Sequence, residues 1–345
     1  MQKRLHETAS GTVQQQAGST IAIQRGASTA ENVGYVAAID IGGTNLRIVL
    51  ADMAGAVVAT WSSSVVGSRS PEAVVALIRE GVEEMLRKIR APHGVLRAVA
   101  AGAPGITDVD TGIVIATSYL MGWRDVPLRT LLEDALGAPA TVDNDVNLAA
   151  VGEHWRGAAQ KVRDFVFIGI GTGIGASIML NGALFRGYGW GAGEVGYMLV
   201  PGTPEVHRTP GEPGALESII GGEGIKAQWR ELCQREQSSL PTDLVATQIF
   251  DHALTGDSVA RSVLERTARI LANAIYNVHL ILNCPLFVLG GGVGVHPALR
   301  NTTEEIMTRL NFLGQPQLTT SALGVDAQIM GAVRQALDVA ALRSS

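Results

Sequence analysis

Cysteine is nearly absent from this chain. Its 345 residues carry two, Cys233 beside a charged helical stretch and Cys284 before Pro285 in an apolar one. Neither has the spacing of a metal or redox pair, so a reducing cytoplasmic setting is expected. Runs of lysine or arginine are also missing, and the net charge is −5. Without a basic stripe to neutralise phosphates, nucleic acid is not expected as the main partner. No stretch approaches the ~20 apolar residues that a membrane span needs, so no membrane partner is expected. The opening residues hold no apolar run of signal-peptide length. The Gly-x-x-x-x-Gly-Lys-Ser/Thr signature is absent too, which argues against a P-loop enzyme. Neither of the glycine-rich turns at residues 40–44 and 171–175 opens directly into a helix as a dinucleotide fingerprint would.

What is present suits a small-molecule protein. A hydrophobic fraction of 46% allows a large core, 41 glycines imply many tight turns, and the length suggests two domains. Residues 1–33 read as a flexible polar tail, in which Ile21-Ala22-Ile23 is long enough only for an added edge strand. Val36 to Ile39 reads as a buried strand. Asp40-Ile41-Gly42-Gly43-Thr44 then turns the chain into a second strand, Leu46 to Ala51. Glycines that allow positive φ would let backbone N–H groups gather round phosphate oxygens; an ordinary Gly-Gly turn is the alternative. Asp40 weighs toward the first reading, because an acid beside the turn can hold Mg²⁺ through water. Phe165 to Ile170 followed by Gly171-Thr172-Gly173-Ile174-Gly175 repeats the arrangement, as if two clamps met one polyphosphate.

Between them lies Asp143-Asn144-Asp145-Val146-Asn147. Val142 reads as the end of a strand, and the helical pattern starts near Leu148, so the acids occupy a strand-to-helix junction. There they either cap the helix or face a ligand, Asp145 then serving as a base. Glu194, in Gly193-Glu194-Val195-Gly196-Tyr197, and Glu217 are either solvated loop acids or acceptors for sugar hydroxyls. Leu286 to Leu289 is a strand that runs into Gly290-Gly291-Gly292, which suits either an adenine or close helix packing. Pro71–Arg90, Pro127–Leu136, Ala260–Leu282 and Ala327–Leu342 read as packing helices, and Trp123 as structural.

Taken together, these motifs resemble the ROK family (repressor, open reading frame, kinase), sugar kinases of the actin-like ATPase superfamily. The likeness runs from Val36 to the C-terminal helix. It implies an α/β, two-lobed actin-like ATPase (ribonuclease H-like) fold, with 34–142 plus 325–345 as a small lobe and 143–324 as a large one. It implies Asp145 as catalytic base and Asn144, Asp145, Glu194, Tyr197 and Glu217 around the sugar. Gly42, Gly43, Thr44, Gly171, Thr172 and Gly173 match the phosphate loops, Gly291 and Gly292 the adenosine site. Asp40 matches an acid associated with Mg²⁺ through ATP. The implied activity is phosphorylation of glucose or a close relative at its 6-hydroxyl, in a cytoplasmic homodimer or homotetramer.

Two departures modify that picture. Tyr197 stands where family members commonly have a histidine, and Pro201 to Ala215 contains no cysteine, where relatives have a cluster that joins the histidine in binding zinc. Four N or S ligands are needed, only His207 lies in the segment, and no zinc is expected. Three other readings stay open: a kinase for an amino sugar, N-acetylhexosamine or cyclitol; polyphosphate as donor; and a sugar-responsive transcription regulator without kinase activity.

Overall fold

A computed structural model describes residues 20–23 and 34–343, except 67–69, 93, 118–119, 121, 206–211, 237–238 and 312–313. The flexible tail expected over residues 1–33, apart from 20–23, and His207 therefore lie outside the described residues. The chain divides into two compact units, one made of Met1–Asn144 with Ala332–Ser345, the other of Asp145–Gly331.

The first unit opens with four strands, β1 (Thr20–Ile23), β2 (Tyr35–Ile41), β3 (Asn45–Asp52) and β4 (Val57–Ser64). The amphipathic helix α1 (Pro71–Lys88) follows. Its start is written in the sequence: Ser70 accepts a hydrogen bond from Ala73 N–H at 3.2 Å, and Pro71 occupies the first turn. Val74, Val75, Ile78, Val82 and Met85 then recur at helical spacing and are buried. Next come β5 (Leu96–Ala103), a small sheet of β6 (Ile106–Asp108), β7 (Ile113–Ala116) and β8 (Arg124–Val126), helix α2 (Leu128–Leu136) and β9 (Ala140–Asn144). The main sheet has the order β1-β4-β3-β2-β5-β9. The expected edge strand is thus present, paired with β4. Strands β2, β5 and β9 run parallel, while β2, β3 and β4 run antiparallel. Ile39, Ile48 and Leu50 pack with Val74, Ile78, Met85 and the buried Trp123 in one core, each fully buried aliphatic contributing about 1.5–3 kcal/mol.

In the second unit, α3 (Asp145–Arg156) begins directly where β9 ends. The junction is tighter than the periodicity suggests, because Asp143 and Asn144 extend the strand and Asp145 is already helical. Polar residues end this strand at no cost because each has a partner. Buried Asp143 accepts from Asn144 N–H at 2.8 Å and from Gln335 Nε2 at 2.9 Å. Asn144 Nδ2 donates to Gly105 O at 2.8 Å. The hairpin β10 (Phe165–Ile170) and β11 (Ile174–Leu180) follows, then β12 (Ala183–Phe185) and the helices α4 (Glu217–Ile220), α5 (Gly222–Glu236), α6 (Ala246–Leu254) and α7 (Ser258–Leu282). Strand β13 (Leu286–Gly290), the single turn α8 (Gly291–Gly294), α9 (Pro297–Leu310), β14 (Gln317–Thr320) and α10 (Ala327–Leu342) complete the chain. Sheet order is β12-β11-β10-β13-β14, with β10, β13 and β14 parallel and β10, β11 and β12 antiparallel.

Each sheet therefore runs third, second, first, fourth, fifth in order of appearance, setting aside the added β1. Helix α3 crosses the start of α10 at bare backbone. A Cβ on Gly152 would lie 2.1 Å from Ala327 O, and one on Gly331 would lie 1.8 Å from Leu148 O. Cys233 and Cys284 are both buried and neither forms a disulfide.

Candidate active site

Three consecutive residues of β11 each hold one segment of the candidate site. Ile174 N–H donates to Glu217 Oε2 at 3.1 Å. Gly175 seats Val146, the residue after Asp145: a Cβ there would come within 3.1 Å of Val146 Cγ2, and the cross-strand Gly169 faces the same side chain at 3.8 Å. Ala176 N–H donates to Gly193 O at 2.9 Å, and Gly193 adopts φ +95° with its absent Cβ aimed at Ala176 O. Only glycine fits there, and the Glu194–Tyr197 turn is fixed as a result.

Asp145 opens α3 half-buried, and its Oδ1 accepts from Val146 N–H at 2.9 Å. A negative charge in the first turn is favoured by the helix dipole. Glu194, Tyr197 and Glu217 share one electrostatic environment. Glu194 keeps an open face, yet the protein packed around its carboxylate, and then the charge of Glu217, raise its pKa. The Tyr197 phenol is raised by burial first and by Glu194 and Glu217 next. It therefore stays neutral near pH 7 and can donate a hydrogen bond. Two acids beside one phenol offer several acceptors and one donor to a polyol.

The glycine turn of this unit differs from the expected nest. Positive φ occurs at fifteen described glycines, and Gly42, Gly43, Gly171 and Gly173 are not among them. Glycine is used here for bareness, not for left-handed backbone. A side chain on Gly171 would meet nothing within 4 Å. Its carbonyl and that of Thr172 accept from Gly222 N–H at 2.9 Å and Glu223 N–H at 3.3 Å, so the first turn of α5 braces the loop. Gly292 likewise faces open space, whereas Gly291, at φ +75°, lies against the Ile170 backbone, where a Cβ would be 2.4 Å from the carbonyl. Gly292 thus leaves its backbone bare, and Gly291 serves packing.

In the first unit, Asp40, Gly42, Gly43, Thr44 and Asn144 stand at the same end of the parallel strands, Asp40 pairing with Gly102 and Asn144 with Ala103. Asp40 lies inside β2, not in the turn, opposite Arg47, whose guanidinium is 3.6 Å from its carboxylate. The turn closes through Gly42 N–H to Asn45 O at 2.9 Å. Asn144 spends one amide hydrogen on Gly105. The residues missed by sequence reasoning are polar ones, the half-buried Gln335 and the buried Glu153, which look like surface residues in a helical pattern.

Two sheets of this strand order, each opening with a glycine hairpin, are the actin-like ATPase fold. That fold is matched over 88% of this chain and 100% of a ROK family glucokinase from Streptomyces griseus solved with glucose and AMPPNP, at TM-score 0.74 and 24% identity. Residues 36–338 match the ROK family, and the chain belongs to it. It is 31% identical over 306 residues to a glucokinase of Halalkalibacterium halodurans, covering 85% of this chain and 92% of that one. It is also 26% identical to a xylose repressor of Caldicellulosiruptor bescii, over 83% of this chain and 73% of the repressor. The kinases among its relatives support a sugar kinase.

Proposed function

We propose that this sugar kinase transfers the γ-phosphoryl group of ATP to the 6-hydroxyl of a hexose, glucose or a close relative, with Asp145 as general base. The observation that supports this most is the common floor of β11, where Ile174, Gly175 and Ala176 hold Glu217, the start of the Asp145 helix and the Glu194–Tyr197 turn. Glu194 and Glu217 accept hydrogen bonds from ring hydroxyls, Tyr197 donates one, and Asn144 steadies the sugar beside the base. Asp145 takes the proton of the attacking hydroxyl, a role that contributes about 10²–10⁴-fold.

The bare Gly171 backbone suits phosphate oxygens, and the open Gly292 suits the nucleoside, so the residues present fit ATP. Among the described residues no group of three or more acids, histidines or cysteines could hold a metal ion alone. A single acid, Asp40, suits Mg²⁺ that keeps its waters and rides on the phosphates. When bound, Mg²⁺ neutralises phosphate charge during transfer. Zinc has no part in the proposal.

Tyr197 favours a second reading. A half-exposed phenol in the sugar site suits an acceptor other than glucose, such as an amino sugar, N-acetylhexosamine or cyclitol. The repressor relative motivates a regulator reading, which a gel shift on promoter DNA tests. The deciding assay follows ADP release with Mg-ATP, and with polyphosphate in parallel as the phosphate donor by product formation. Its acceptors are glucose, mannose, fructose, N-acetylglucosamine, N-acetylmannosamine and allose. Turnover led by glucose is expected; no turnover with any hexose would contradict the proposal.

A further inference from the structure

Glu153 has no part in the reaction above, yet few acids in the chain are so completely enclosed. It lies on α3 about two turns beyond Asp145 and is shielded from solvent. Its carboxylate receives four hydrogen bonds. Oε1 accepts from Ser321 Oγ–H and from Leu323 N–H at 3.0 Å; Oε2 accepts from Ala158 N–H at 2.6 Å and Ala322 N–H at 3.2 Å. A carboxylate, all acceptor and no donor, matches that set, whereas an amide of the same shape would turn its own NH₂ against two N–H groups.

The Ser321 arm leads toward the nucleotide side. Ser321 N–H donates to Leu289 O at 2.7 Å, at the end of β13 just before the Gly290–Gly294 segment. Ser321 Oγ also accepts from Gly324 N–H at 2.8 Å, which opens the one-turn helix Gly324–Asp326 that packs on α8. One buried side chain therefore joins the helix that begins with Asp145 to the backbone that begins with Gly291.

We infer that Glu153 is a positioning residue that holds the Asp145 helix and the Gly290–Gly294 segment in one register, so that nucleotide affinity and proton removal depend on the same carboxylate. The inference rests on the kinase reading. The sugar acids are anchored separately on β11, through Ile174 and Ala176, and are independent of this link.

The test compares Glu153→Gln and Ser321→Ala with the wild type in steady-state kinetics and in calorimetric ADP binding. Glu153→Gln should raise the KM for ATP about tenfold and lower kcat about tenfold, leaving the sugar KM within about twofold, since small displacements of reacting groups cost rate steeply. Ser321→Ala, which cuts one arm, should raise the ATP KM about threefold. A folded Glu153→Gln with wild-type ATP KM and ADP affinity would overturn the inference, even if kcat fell, because a smaller active fraction lowers kcat alone. Should Glu153→Gln not fold, Ser321→Ala decides, and an unchanged ATP KM overturns it. Failure of the kinase reading is distinct: the wild type would then release no ADP, while weaker ADP binding by the variants would still support the link.

Discussion

The two units share a strand order but treat the base of their first hairpin in opposite ways. One step in from the turn, β2 and β3 pair Asp40 with Arg47, whereas β10 and β11 pair Gly169 with Gly175. The first pair keeps two charged side chains at the sheet's end, about a quarter exposed, where an acid can meet a hydrated cation. The second gives up side chains altogether, and Val146 sits in the space, bringing the start of α3 onto the strand. The same position thus supplies charge in one unit and room in the other. A hairpin that must hold a neighbouring helix loses the side chains that would hold it off.

The largest effect should come from filling that room. Gly175→Val should lower kcat by about 10²-fold through displacement of Asp145 and cost about 1–3 kcal/mol in thermal unfolding from overpacking. Wild-type kinetics in Gly175→Val would break the comparison. Next in size, Asp40→Asn should raise the Mg²⁺ concentration for half-maximal rate about tenfold, the usual range for losing an outer-shell partner of a metal. A magnesium titration at fixed ATP reads this directly.

A subtler change concerns pH. In the proposed sugar site Glu194 would accept hydrogen bonds from hydroxyls best as a carboxylate, and burial, with Glu217 second, raises its pKa. Sugar affinity should therefore weaken, as pH falls, sooner than it would for an ordinary glutamate. Removing a negative neighbour lowers that pKa, so Glu217→Gln should move the break in the sugar KM profile to more acid pH. The same raised pKa favours the protonated folded state. That contribution to stability is complete below the unfolded pKa and is lost as pH rises through the folded one. Smallest of all, Arg47→Ala should change unfolding stability by no more than about 1 kcal/mol, because the Asp40 pair is partly solvated, as a denaturant midpoint would show.

Much of this was legible in the residues. Both hairpins stand out because glycines interrupt apolar runs, α1 and α7 because their apolar periodicity is long and capped, and α10 because its periodicity is long. For the two glutamates and Asp145 the residues left two readings open and the family likeness chose between them, since a loop acid alone carries no label. The start of α3 was less legible: Asp143 and Asn144 are polar but belong to a strand, stabilised by Gln335 and Gly105, and no local pattern announces partners so distant in sequence. Glu153 was hidden for the same reason, since three of its four donors come from the 321–323 loop. Glycine composition also pointed to positive φ in both turns, whereas the turns use glycine for its missing side chain.

Asp145 is tested most directly by replacing it with asparagine and measuring glucose binding by calorimetry beside ADP release. The account predicts that the folded variant still binds sugar while turnover falls by at least about 10²-fold, the usual loss with a general base. Unchanged turnover in a folded Asp145→Asn protein would contradict it.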